Sequence, residues 1–114
     1  MAAPDNHGTL EPVDLTAGTG PGPVWGMASN DLNATLLTWP AGHQVAEHVN
    51  AELDVLVVVL AGDGVVTIDA QRHELRAEQA ILIERGCSRA IRAGSGGLRY
   101  LSIHRRRGPL QITT

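Results

Sequence analysis

A chain of 114 residues makes one domain, long enough to bury a core without disulfide or metal staples. Its composition, 43% hydrophobic with 13 glycines, 6 prolines and no phenylalanine, describes aliphatic segments broken by frequent turns, as in an all-β sandwich or barrel. A formal charge of −3 excludes the overall basicity that recruits nucleic acid or an anionic membrane surface, and no stretch is apolar over the roughly 18 residues that a membrane helix requires.

Residues 1–23 are rich in Pro, Gly, Ala, Asp and Thr and include Gly18-Thr19-Gly20-Pro21-Gly22-Pro23. They are expected to form a flexible or extended arm ahead of a barrel over residues 24–107, with residues 108–114 as a C-terminal tail. The arm lacks the apolar stretch of a secretory signal, and the single cysteine, Cys87, has no internal disulfide partner, so a cytoplasmic location is expected.

Val24-Trp25-Gly26-Met27 reads as a first short strand. Leu32 to Trp39 reads as a second, with Ala34, Leu36 and Thr38 on one face and Thr35, Leu37 and Trp39 on the other. Pro40-Ala41-Gly42 then turns the chain, and His43 in that turn is expected in solvent. His48 and Asn50 lie two apart, so an extended backbone points both to one face.

The β-branched run Val55 to Ala61 reads as a buried strand, and Gly62-Asp63-Gly64 after it as a tight hairpin. Val65 to Asp69 alternates with period two and ends at Asp69-Ala70, a turn without the glycine that most easily takes positive φ. His73 and Glu74 are expected on the outer surface. Ala80 to Ile83 forms another strand, Ala90-Ile91 begins the next, and a turn is expected over Ala93 to Gly97.

In the last strand, Leu98 to Arg105, Tyr100 and His104 share a face with Leu98 and Ser102, while Leu101 and Ile103 share the other. Periodicity leaves open which face points inward. Every helical window is interrupted by Gly or alternates with period two, so no helix is expected.

Gly94-Ser95-Gly96-Gly97 lacks the lysine and following helix of a phosphate loop. Cys87 stands between Arg85 and Arg89, a setting that lowers a thiol pKa, but no histidine is placed to act with it, and it reads as an incidental turn thiol. Arg105-Arg106-Arg107 reads as a solvated strand end rather than a polyanion site.

The segment Pro40 to Gly64 resembles the first motif of the cupin family, which runs Gly, five residues, His-x-His, three or four residues, Glu, six residues, Gly. Here Gly42 is followed by five residues, then His48-Val49-Asn50, then Asp54, with Gly62 as the turn glycine. Asn50 stands where the second histidine would be. The glutamate position falls to Asp54 counting forward, to Val55 counting back from Gly62, or to Glu52.

The second motif (Gly, five residues, Pro-x-Gly, two residues, His, three residues, Asn) meets Glu78, Glu84, Gly86, Arg89 and Ala93, of which Gly86 alone matches. The resemblance, over roughly residues 32 to 104, implies a single-domain double-stranded β-helix, the jelly-roll barrel of cupins.

Two chemistries follow from the resemblance. In one, Fe, Mn, Ni or Zn is held by His48, Asn50 and a carboxylate from Glu52 or Asp54, with His104 added if its face is inward, and performs oxygenation or isomerisation. In the other, a metal-free barrel binds a small molecule, anions among the candidates, through His48, Asn50, Asp54, Arg89, Tyr100 and His104.

Arg89 cannot deprotonate, and Asn50 offers only a weak carbonyl oxygen, so the metal-free reading is expected, without a cofactor. A third reading is a structural protein with a filled barrel. Arg89 is expected to meet an anion: Asp54, Glu52, or a carboxylate of the ligand. The partners expected are a small-molecule ligand and a second copy of the chain, because an open barrel leaves edge strands that the arm could cover in a homodimer. No nucleic-acid or membrane partner is expected.

Overall fold

A computed structural model of the protein describes residues 11 to 106. The element order is β1 (Gly22–Ala28), β2 (Leu32–Trp39), β3 (Gln44–Val49), β4 (Val55–Ile68), β5 (Gln71–Arg76), β6 (Ala80–Ile83) and β7 (Ser88–Arg105). All pairings are antiparallel, in the order β1-β2-β7-β4-β5, with β3 added to β7 and β6 to β4. The described residues are all-β, as expected, and β1 opens two residues earlier than the sequence suggests. The expected tail, residues 108–114, and the first ten residues of the arm lie outside the described residues.

Two long strands organise the sheet, and both correct the sequence reading. Gly62-Asp63-Gly64 does not make a hairpin: β4 runs 14 residues straight through it. Nor does the chain turn back at Ala93 to Gly97, because β7 runs 18 residues through that stretch. Glycine here serves close approach rather than reversal.

Gly62 has φ +79°, and a Cβ on it would overlap the Gly97 carbonyl oxygen; Gly97 itself has φ +73°. The carboxylate of Asp63 braces the bend by accepting the Gly96 N–H at 3.1 Å.

The ladder between β4 and β7 shifts register between Val59 and Ala61 and again between Gly62 and Gly64. Each shift changes which parity faces inward, because side chains alternate strictly along a strand. On β4 the inward set passes from Val55, Val57 and Val59 to Val66; on β7 it passes from Arg89, Ile91 and Ala93 to Leu98 and Tyr100. Val55, Val57, Val59, Val66, Leu75, Ile83, Ile91, Ala93, Leu98 and Tyr100 make one buried cluster. Each fully buried large aliphatic side chain contributes about 1.5–3 kcal/mol.

The β4–β5 turn takes positive φ without glycine, at Asp69 (+47°) and Ala70 (+69°). Asp69 compensates through its carboxylate, which accepts the Ser88 N–H at 2.8 Å. The lead-in to β1 is tied to the barrel's outer face by Arg99, whose guanidinium donates to the carbonyls of Leu15, Ala17 and Gly18. Beyond β7, Arg106 donates to the Ser29 carbonyl at 3.0 Å, and Arg107 lies outside the described residues. Among the described residues no helix is long and apolar enough to cross a membrane.

Candidate functional site

The inward faces of β2, β3, β4, β6 and β7 line an open-mouthed cavity of about 300 Å³. Leu37, Val45, Val55, Val57, Ile83 and Ile91 give it an aliphatic lining, and Trp39, His48, Asn50, Arg89, Tyr100, Ser102 and His104 supply its polar groups. A larger depression of about 420 Å³ lies on the outside of β4, β5 and β7, among the exposed side chains of Arg72, Glu74, Arg76 and Arg92. Small molecules are held where an apolar lining surrounds a few convergent polar groups, which singles out the inner cavity.

Arg89 is buried, with 4% of its surface exposed, and faces His48 across the β3–β7 ladder. Its Nε–H donates to the Cys87 carbonyl and its Nη2–H to the Glu84 carbonyl, each at 3.2 Å. These bonds correct the expectation of an internal pair with Asp54. That carboxylate is at an exposed position and accepts the Arg85 N–H at 2.8 Å, bracing the turn after β6. Glu52 is likewise exposed. Of the three candidates for the glutamate position, Val55 lines the cavity, whereas Asp54 and Glu52 do not.

The imidazole hydrogen bonds identify their tautomers, since a carbonyl can only accept. His48 Nδ1 is 3.0 Å from the Ala46 carbonyl oxygen, so Nδ1 donates, and in the neutral ring Nε2 carries the lone pair. His104 Nδ1 donates to the Arg105 carbonyl at 2.8 Å, and in the neutral ring Nε2 accepts from Asn33 Nδ2 at 3.3 Å. His104 therefore has both nitrogens engaged, although the structure settles its face as inward. Asn50 Oδ1 accepts the N–H groups of Glu52 and Leu53 at 3.0 and 3.1 Å, shaping the loop into β4.

A divalent ion would find one imidazole lone pair here, an amide oxygen already engaged, and a guanidinium. Among the described residues no three His, Cys, Asp or Glu side chains cluster to hold a metal. The donor set does not fit the ion that the family resemblance implies.

His43, expected in solvent, is half-buried instead, because its ring stacks on Trp39 with centroids 4.1 Å apart and planes 3° from parallel. The Trp39 Nε1–H in turn donates to Tyr100 Oη at 3.2 Å. Burial pushes the Tyr100 phenol above its ordinary pKa, with the Trp39 bond acting in the opposite sense. At Cys87 the flanking arginines do not produce a net lowering of the thiol pKa. A hydrogen bond to Asp69, with desolvation and that residue's charge, pushes the thiol up and outweighs the opposing pull of Arg89. His73 is half-buried on the Leu75 side of β5, while Glu74 is exposed as expected.

Sequence reasoning missed Trp39, Ser102 and Asn33 as site residues. Trp39 and Asn33 share the odd-numbered face of β2 with Leu37, and pairing of that face with Tyr100 and His104 is the signal that would have found them.

No protein-family model matches the chain, and no curated protein is significantly similar to it in sequence. Solved structures do match. The BH2720 protein of Bacillus halodurans superposes with a TM-score of 0.76 at 20% identity, over 90% of this chain and 88% of its own. A cupin protein of Bacteroides fragilis matches at 28% identity and TM-score 0.62, over 74% of this chain and 73% of its own. An RmlC-like cupin of Shewanella frigidimarina matches at 14% identity and TM-score 0.64, over 70% of each chain.

Proposed function

Since this chain is a small cupin-family protein, we propose that it uses the barrel cavity to bind a small anionic molecule, without a tightly bound metal. The observation that carries this reading is Arg89, a fixed positive charge buried in an aliphatic cavity at the position where the family's second motif places a histidine. A charge so placed is costly unless an anion meets it. Its two hydrogen bonds run to backbone carbonyls, which orient the guanidinium without neutralising it. Nη1 has no protein partner among the described residues and is the natural donor to a carboxylate, with Nη2 as the second tooth of a bidentate pair. His48 stands beside Arg89 on the neighbouring strand, at an exposed position at the rim of the cavity. A reducing compartment such as the cytoplasm suits the one unpaired thiol, Cys87.

Arg89→Met tests the reading. Calorimetric titration with short-chain carboxylates is expected to show binding to the wild type and at least a tenfold loss in the variant. The fold should survive, because an unpaired guanidinium is exchanged for an apolar side chain of similar length, leaving stability within about 2 kcal/mol. Equal binding by both proteins would refute the assignment of Arg89.

A further inference from the structure

Tyr100 enters the cavity with its hydroxyl only half used. The indole N–H of Trp39 can only donate, so Tyr100 Oη accepts in that bond and the phenol's own proton must point elsewhere. Among the described residues no acceptor meets that proton. The stack of Trp39 on His43 sets the indole direction, so the hydroxyl orientation is built in rather than free. Burial favours the protonated phenol, which keeps it a donor.

Arg89 closes the other end. Its Nη2 reaches the carbonyl of Glu84, the residue after Ile83; Ile83 pairs with Val55, and Val55 with His104. Tyr100 lies four residues back along β7 from that row, about 13 Å of strand. Both ends of the cavity therefore present donors, and Val55, Val57, Ile83 and Ile91 line most of the space between them, with Ser102 as the polar side chain on β7 between Tyr100 and His104.

Building on the anion reading above, we infer that the ligand is a short aliphatic oxo acid: a carboxylate held by Arg89, an apolar middle, and a carbonyl oxygen that accepts from Tyr100. Tyr100 is then the specificity-determining residue, since a site built to complete a hydrogen bond rejects the analogue that leaves its donor unpaired.

Calorimetric titration of the full chain with 4-oxopentanoate and 5-oxohexanoate, against pentanoate and hexanoate, tests this. At least one oxo acid should bind about three- to tenfold more tightly than its unsubstituted partner. Tyr100→Phe should erase that preference while leaving affinity for the unsubstituted acid in place. Infrared spectroscopy of the wild-type complex supplies a readout that needs no variant: the ketone stretch of the bound oxo acid should move to lower frequency than in water.

Unsubstituted acids that bind through Arg89 with no advantage for the oxo acids, or an advantage that persists in Tyr100→Phe, would overturn this inference and leave the anion site standing. Absence of binding by any of the four acids would overturn both.

Discussion

Tyr100 is the chain's one tyrosine, which makes its ionisation directly observable. Its pKa is raised by burial, so between the unfolded and folded pKa values the unfolded chain loses the phenolic proton while the native state keeps it. The stability this provides is complete below about pH 10 and declines as pH rises above that value. Phenolate absorbance should rise later in the native protein than in denaturant, and Tyr100→Phe should flatten the fall of melting temperature on the alkaline side. Native and denatured titrations that coincide would place the hydroxyl in water. Arg89, one strand end away, is the residue whose chemistry most separates this cavity from a metal site: its position follows from the second-motif spacing and its carbonyl partners, Cys87 and Glu84, belong to the turn just before it in the chain, but its burial against the cavity is decided by the fold.

At the scale of elements, β4 and β7 carry the architecture, and their bends are the fragile points. Gly62→Ala would impose a Cβ on a residue at φ +79° and drive it into the Gly97 carbonyl. A loss of at least about 2 kcal/mol is expected from backbone strain alone, measurable as a shift of the urea midpoint. An unchanged midpoint would mean that the two strands do not touch there.

The same bends explain why the sequence pattern suggests two hairpins. Gly62-Asp63-Gly64 and Gly94-Ser95-Gly96-Gly97 carry genuine turn composition, and locally a tight turn and a bulged crossing of two strands ask for the same residues. What distinguishes them is a neighbour supplied from more than 30 residues away, as when Asp63 accepts from Gly96. The inward face of the last strand was open for the same reason, because a parity established at Arg89 reverses before it reaches Tyr100.

For the whole molecule, burial of one aliphatic cluster supplies the core, and the fold is expected to form without an ion. Incubation with a strong chelator should leave the melting temperature unchanged, and elemental analysis of untagged protein should find less than one equivalent of transition metal; a large drop on chelation would reverse the cofactor reading. A homodimer remains the expected assembly, now on different grounds from the arm alone, since residues Leu15 to Gly18 of the lead-in are bound by the chain's own Arg99. Across the outside of the sheet, Leu82 pairs with Leu56 and Leu56 with Ile103, and Leu82 and Leu56 are 57% and 36% exposed. An apolar row of this kind can centre an interface of about 800 Å² per partner. Light scattering should report a dimer that Leu82→Lys dissociates, and a wild-type monomer at micromolar concentration would sink the expectation.

The amino-acid sequence by itself determined the class of this protein. Period-two alternation, β-branched runs and absent helical spacing specify strands wherever they occur, and the motif frame around His48 and Gly86 pointed to the barrel. Those signals are local, written into neighbours along the chain. Tertiary structure alone decided that Val55 and not a carboxylate lines the cavity, that His104 has no nitrogen left for a metal, that Asp54 braces a turn, and that Trp39 aims the hydroxyl of Tyr100. Each of these depends on strand register across long sequence separations, and a shift of one residue, invisible to composition, sends a side chain to the opposite face.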